Sequence, residues 1–146
     1  MKRYFLIATL IALPVTAENA AGQAAWPVIL RNANVTVALD TANAKRNADG
    51  SYMTRTRWDY ARLRALESKR PYLSMTQTAL LRCTPVRIKR LTESFYAANG
   101  AVVREGEAPH PGDIQYMTWD RIKTGTDGSR AMNQVCALLR RRDGRR

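Results

Sequence analysis

Histidine occurs once in this chain, at His110, and cysteine only twice, at Cys83 and Cys136. A metal centre or a histidine-dependent triad would therefore need ligands from other residue types or from a partner. His110 sits between Pro109 and Pro111, a setting that reads as an exposed loop. Acidic residues are scarce as well: 12 Asp and Glu stand against 24 Lys and Arg. Asp40, Glu67, Glu93, Glu105 and Glu107 are scattered, with no spacing that marks a general acid and general base pair. The segment Gly125-Thr126-Asp127-Gly128-Ser129 lacks the glycine and lysine spacing of a phosphate loop and reads as a turn entering a helix. These absences set the expectation of a chain with no cofactor, no metal and no enzymatic activity. A small enzyme whose site assembles in space from distant residues is the rival reading.

Long apolar runs are missing too. The stretch Tyr4–Leu13 falls short of the roughly 20 residues that span a bilayer. Preceded by Lys2-Arg3 and followed by Val15 and Ala17, it has the order of a secretory signal. Cleavage is expected after Ala17, with later cuts open after Ala21 and Ala25. No cysteine lies nearby to accept a lipid anchor, so the expected product is periplasmic or extracellular, with no membrane-spanning segment.

Export governs how the two cysteines are read, because oxidising compartments preserve disulfides. A Cys83–Cys136 bridge is the expectation; two buried free thiols in a chain that stays in the cytosol is the opposing one. In the chain-entropy account a loop of this span contributes about 4 kcal/mol. The charge is +12 for the whole sequence, and losing Lys2 and Arg3 leaves 22 basic against 12 acidic residues, or +10. Such an excess favours anionic partners, whether lipid headgroups, acidic polysaccharide, nucleic acid or acidic protein. Export argues against nucleic acid, and Trp26, Trp58 and Trp119 are not grouped into a base-stacking platform. Arg140-Arg141-Arg142 and Arg145-Arg146 read as a solvated basic tail over 140–146, suited to electrostatic tethering or merely to solubility. Arg62, Arg64, Lys69 and Arg70 form a second basic stretch, in or beside a loop.

Periodicity points to the fold class. From Tyr52 to Tyr60 the set Tyr52, Thr54, Thr56, Trp58, Tyr60 alternates with Met53, Arg55, Arg57, Asp59, which predicts a half-buried antiparallel strand. A second strand is expected over Tyr72–Cys83. A third follows Thr84-Pro85, over Val86–Ala97, with Leu91 and Phe95 on one face and Val86, Ile88 and Tyr96 on the other. Asn99-Gly100 suits positive φ at both central positions of a tight hairpin turn leading to Ala101–Arg104. Val28–Leu30 and Val35–Leu39 flank a further turn at Arg31–Asn34, and Asp49-Gly50 turns the chain into the long strand. The prolines of Ala108–Asp113 end the series. Downstream, Asp127 or Ser129 can cap a helix whose Met132, Val135, Cys136 and Leu139 share one face. The expectation is an α+β fold: an antiparallel meander sheet of about six strands with a C-terminal helix packed on it and stapled by the disulfide.

The same residues carry a resemblance. Trp26 opening the domain, a strand closing on Leu39-Asp40-Thr41, the aromatic strand around Arg57-Trp58-Asp59-Tyr60-Ala61, the Cys83 strand, the Ser94-Phe95-Tyr96 strand and a terminal helix with Val135-Cys136 follow one another in order. This layout resembles the surface-adhesin protein E family of exported bacterial proteins, over residues 26–139. The resemblance implies a binding module of the cell envelope, with host matrix and serum proteins such as laminin and vitronectin as partners. The chain departs from that pattern in lacking the lipid-acceptor cysteine. The hairpin between Trp58 and Tyr72 is the expected docking place, with Arg62, Arg64, Lys69 and Arg70 offering charge and Tyr60 and Tyr72 apolar area; the competing reading makes the aromatics core and the charges a wet loop.

Overall fold

The computed structural model describes residues 26–144; the expected leader and its cleavage site lie outside these, as do Arg145 and Arg146. The strands are β1 (Val28–Arg31), β2 (Val35–Leu39), β3 (Lys45–Arg46), β4 (Tyr52–Ala65), β5 (Pro71–Cys83), β6 (Val86–Tyr96), β7 (Val102–Arg104) and β8 (Asp120–Arg121), and one helix, α1 (Asp127–Asp143), follows them. They form one antiparallel sheet in the order β1-β2-β4-β5-β6-β7, with β3 paired to β4 and β8 to β6. The meander of six is as the sequence predicts. The two-residue strands β3 and β8 are too short to leave a periodic signal.

Alternation along β4 sets which face is buried. Tyr52, Thr54, Thr56 and Trp58 are buried, Arg55 and Arg57 are exposed, and the buried set stands opposite Leu81, Ala79, Gln77 and Met75 of β5. The buried hydroxyls and amides on this face are paired: Thr54 Oγ1 donates to Ala79 O at 3.1 Å, Trp58 Nε1 to Thr56 Oγ1 at 2.9 Å, and Gln77 Nε2 to Glu93 Oε1 at 2.7 Å. Without those partners each would cost about 1–3 kcal/mol.

Strand β6 departs from simple alternation. Thr78 pairs with Thr92 and Ala79 with Arg90, so Leu91 is an extra residue. This bulge shifts the parity by one. Ile88, opposite Leu81, and Phe95, opposite Met75, therefore share the covered face, whereas strict alternation would separate them. The Asn99-Gly100 turn differs as well: only Gly100 takes positive φ, at +81°. Ala97 N–H donates to Ala101 O at 2.9 Å and Gly100 N–H to Ala97 O at 2.9 Å, the pattern of a three-residue loop closed by a left-handed glycine.

Helix α1 lies over this face. Its Ala131, Met132, Val135, Cys136 and Leu139 are buried against Val35, Val37, Leu39, Tyr52, Ala79, Leu81 and Ile88. The cap is Thr126, whose Oγ1 accepts from Ser129 N at 3.2 Å, rather than Asp127 or Ser129. Asp127 is instead the first helical residue, where a carboxylate meets the positive end of the helix dipole. Cys83 and Cys136 are disulfide-bonded, with Cα atoms 5.5 Å apart.

The basic tail expected over 140–146 is corrected at its start. Residues Arg140–Asp143 continue the helix, because its last turn has partners on the sheet side. Arg142 donates to Thr41 O at 3.1 Å and Ala44 O at 2.8 Å, and Tyr52 Oη donates to Asp143 Oδ2 at 2.6 Å. A carboxylate at a helix C-terminus opposes the dipole. The Tyr52 hydroxyl and the Arg46 guanidinium, 3.8 Å away, offset that cost.

Beyond β7 the chain continues antiparallel along β6. Gly106 lies so close that a Cβ there would meet Glu93 O at 2.6 Å, and its N–H donates to Ser94 Oγ at 3.0 Å. Lys89, buried at 5% exposure, donates to Ile114 O at 2.8 Å and lies 5.1 Å from the Trp119 ring centroid, which holds this strap on the sheet.

The double variant Cys83→Ala/Cys136→Ala is expected to keep the fold but lose about 2–5 kcal/mol in urea unfolding. A loss below about 1 kcal/mol would show that packing alone holds α1 in place.

Candidate functional site

The end of the β4–β5 hairpin is where backbone geometry and charge coincide. Asp59 pairs with Ser74, but the next pair is Arg64 with Tyr72, so Tyr60–Leu63 of β4 stand against Leu73 alone. Such a bulge bends a strand and redirects its side chains. Tyr60 remains beside Val35 of β2, and Ala61 N–H donates to Asn34 O at 2.9 Å, after which β4 leaves its neighbour. The hairpin closes through Lys69 N–H to Leu66 O at 2.8 Å and Leu66 N–H to Arg70 O at 3.1 Å. Lys69 has φ of +59°, a left-handed conformation uncommon for a residue with a side chain.

Three aromatic rings form the floor. Tyr72 packs edge-on against Tyr60, with centroids 5.9 Å apart, and against Phe95, with centroids 4.9 Å apart. The Arg64 guanidinium lies 4.8 Å from the Tyr60 centroid and that of Arg104 4.4 Å from Phe95, so a cation covers each end of the row. Burial, followed by the neighbouring Tyr72, pushes the Tyr60 hydroxyl up to about 12, and it stays a neutral phenol throughout the physiological range.

A cleft of about 520 Å³ opens beside this floor, lined by Asn34, Tyr60, Arg62, Leu63, Arg64, Ala65, Tyr72 and Asp127. It lies between the hairpin and the start of α1. Arg62, Arg64, Lys69 and Arg70 are all exposed, and none forms an ion pair with a carboxylate among the described residues. Glu67 is the one acid between Ala61 and Pro71, which leaves that segment at +3. Arg62 and Arg64 belong to β4 rather than to a loop; Lys69 and Arg70 are in the turn.

Of the six expected docking residues, Tyr60, Arg62, Arg64 and Tyr72 meet in the cleft, whereas Lys69 and Arg70 stand in the turn of the same hairpin outside its lining. Tyr72 is 8% exposed and supports the surface from below. The apolar area in contact with solvent comes from Leu63, 63% exposed, which periodicity alone did not single out. Its signal was present as one aliphatic residue between Arg62 and Arg64 in a run otherwise unsuited to a core. His110 is exposed, and its Nδ1 accepts from Gly112 N–H at 3.2 Å. Among the described residues no group of three His, Cys, Asp or Glu side chains is placed to hold a metal ion, and no helix is long and apolar enough to cross a membrane.

On the far side of the cleft Asn32 joins two elements. Its Oδ1 accepts from Asn34 N at 2.8 Å and Val35 N at 3.0 Å, and its Nδ2 donates to Asp127 Oδ1 at 2.7 Å. Asp127 also accepts from Arg130 at 2.6 Å. The Arg130 hydrogen bond and then that of Asn32 hold the Asp127 carboxyl below its ordinary value of 3.8.

The family model described as surface-adhesin protein E matches residues 26–137. A search of curated proteins finds no match. Among solved structures, the crystal structure of protein E from non-typeable Haemophilus influenzae is similar at a TM-score of 0.46 and 16% sequence identity, covering 90% of this chain and 84% of that one.

A depressed carboxyl contributes stability that is complete above its unfolded value and is lost as pH falls through the folded one. The wall of the cleft at Asn32 and Asp127 should accordingly stay intact down to about pH 4 and loosen below it. Hydrogen-exchange protection factors at Val35 and Ser129, which divide out the intrinsic pH dependence of amide exchange, should fall over that window, and less so in Asp127→Asn. Protection factors unchanged down to pH 2 would contradict the assignment.

Proposed function

This chain belongs to the surface-adhesin protein E family, and from that membership we propose that it is an exported, non-catalytic binding module of the cell envelope. Its leader is removed on export, and the processed protein is periplasmic or extracellular. The β4–β5 hairpin end is its docking surface, and the acidic face of a protein, or another anionic envelope component, is its partner. Host matrix proteins such as laminin and vitronectin are the candidates that the family resemblance brings.

The observation supporting this reading is one bent hairpin that carries four exposed cations without carboxylate partners, two of them lining a cleft with an exposed leucine over an aromatic floor. Unpaired guanidinium and ammonium groups lose little on meeting carboxylates, since no internal ion pair has to break first. Leu63 adds apolar contact that salt does not screen, while the surrounding charges speed encounter. Tyr60 and Tyr72, already packed, are ordered before a partner arrives, which lowers the entropy lost on docking.

The test uses laminin and vitronectin immobilised on a biosensor. Replacing Arg62, Arg64 and Arg70 by Gln together with Lys69→Gln removes only exposed side chains, so the fold should persist. Affinity is expected to fall by about tenfold or more, and Leu63→Ser should slow no encounter but hasten release. Unchanged affinity in the fourfold variant would remove the hairpin from the interface. Absence of binding by the unmodified protein to either ligand would remove host adhesion, and recovery of unprocessed chain in the cytosol with reduced thiols would remove export.

A further inference from the structure

A second cationic cleft lies at the opposite end of β4, beside the disulfide. It encloses about 390 Å³ and is lined by Arg46, Asp49, Tyr52, Arg82, Cys83, Thr84 and Arg140, with Gly50 at its turn. Its three guanidinium groups come from three elements: Arg46 from β3, Arg82 from β5 and Arg140 from α1. The disulfide next to Arg82 fixes α1 on the sheet and so brings Arg140 to the cleft.

Two of the three arginines are already held. Arg82 donates to Asp49 Oδ2 at 3.3 Å, and its guanidinium lies 4.3 Å from the Trp119 ring centroid. Arg46 lies 3.8 Å from Asp143 Oδ2, which also accepts the Tyr52 hydroxyl. Asp49, exposed on its turn, is engaged by its own neighbour, accepting from Ser51 Oγ at 2.6 Å and Ser51 N at 3.0 Å, and those two bonds, Oγ first, hold its carboxyl below the ordinary range. Arg140 is exposed, and its guanidinium has no ion-pair or hydrogen-bond partner among the described residues. Three cations against one carboxylate leave the lining at +2.

We propose that this cleft is a binding site for a tetrahedral oxyanion ester, a phosphate or sulfate monoester carried on a group of sugar size. Guanidinium groups recognise such oxygens by paired, charge-assisted hydrogen bonds. Arg82 is oriented beforehand by Asp49 and Trp119, Arg46 is drawn to the cleft by Asp143, and Arg140 has all its side-chain donors unengaged. The volume is that of a small-ligand site and exceeds what a bare ion fills. Thr84 and the Asp49-Gly50 turn supply polar groups for the rest of the ligand. The site is independent of the hairpin surface, which lies at the other end of β4.

Glucose 6-phosphate, glucose 6-sulfate and glucose are titrated into the purified protein at about 0.15 M salt, where distant charges are screened, while the amide resonances of Gly50 and Thr84 are followed. At least one ester should give saturable shifts there, and glucose none. The tighter ester identifies the source, and equal binding of both assigns the shared oxyanion. Arg140→Gln should weaken binding about tenfold. Arg141→Gln removes the same charge one residue away, outside the lining, and should change it less than about twofold. Failure of both esters to saturate, equal shifts with glucose, or matching effects of the two substitutions would overturn the site.

Discussion

The placement of α1 on one face of the sheet is the constraint on which the remaining structure depends. Among the described residues a single α-helix is available to cover the buried face of the sheet. That helix is tied at three levels: Asn32 to Asp127 at its start, Cys83 to Cys136 midway, and Arg142 and Asp143 to the Thr41–Tyr52 region at its end. Between these ties Ala131, Met132, Val135 and Leu139 exclude water from the β2–β4–β5 core. Apolar packing is non-directional and would tolerate sliding. The covalent link and the hydrogen bonds at each end fix the register that packing leaves free.

Both cationic surfaces follow from that register. The start of α1 supplies one wall of the hairpin cleft through Asp127, and its last turns supply Arg140 to the cleft beside the disulfide. They differ in how their charge is held. On the hairpin the cations are exposed and lack carboxylate partners, which suits them to long-range attraction of a large partner. In the second cleft Arg82 is oriented by Asp49 and Trp119, and Arg46 lies within ion-pair distance of Asp143, so three guanidinium groups from three elements border one small space.

Local pattern made much of this legible in advance. The alternation of Tyr52, Thr54, Thr56 and Trp58 against Arg55 and Arg57 was enough to place β4 and its buried face, and the spacing of Met132, Val135, Cys136 and Leu139 was enough to place α1. What escaped were features created by pairing. The extra residue at Leu91 and the long bulge at Tyr60–Leu63 exist only relative to β5, so no periodicity within one strand announces them. The helix runs through Arg140–Asp143 because partners from Thr41, Ala44 and Tyr52, about a hundred residues away, satisfy its last turn. The basic run at the chain end, read without those partners, looks like a solvated tail.

The strap that follows β7 gives the sheet a further property. Strand β6 would otherwise present an open border to solvent, but β7 covers one end, β8 the other, and the segment through Gly106 and Ile114 crosses between them. An uncovered border of this length is a template on which a second molecule can stack, the first step toward fibrous aggregates. Here a glycine that lets one backbone lie on another, Gly106 against Glu93 and Ser94, keeps this border of β6 from standing open as a template for strand addition.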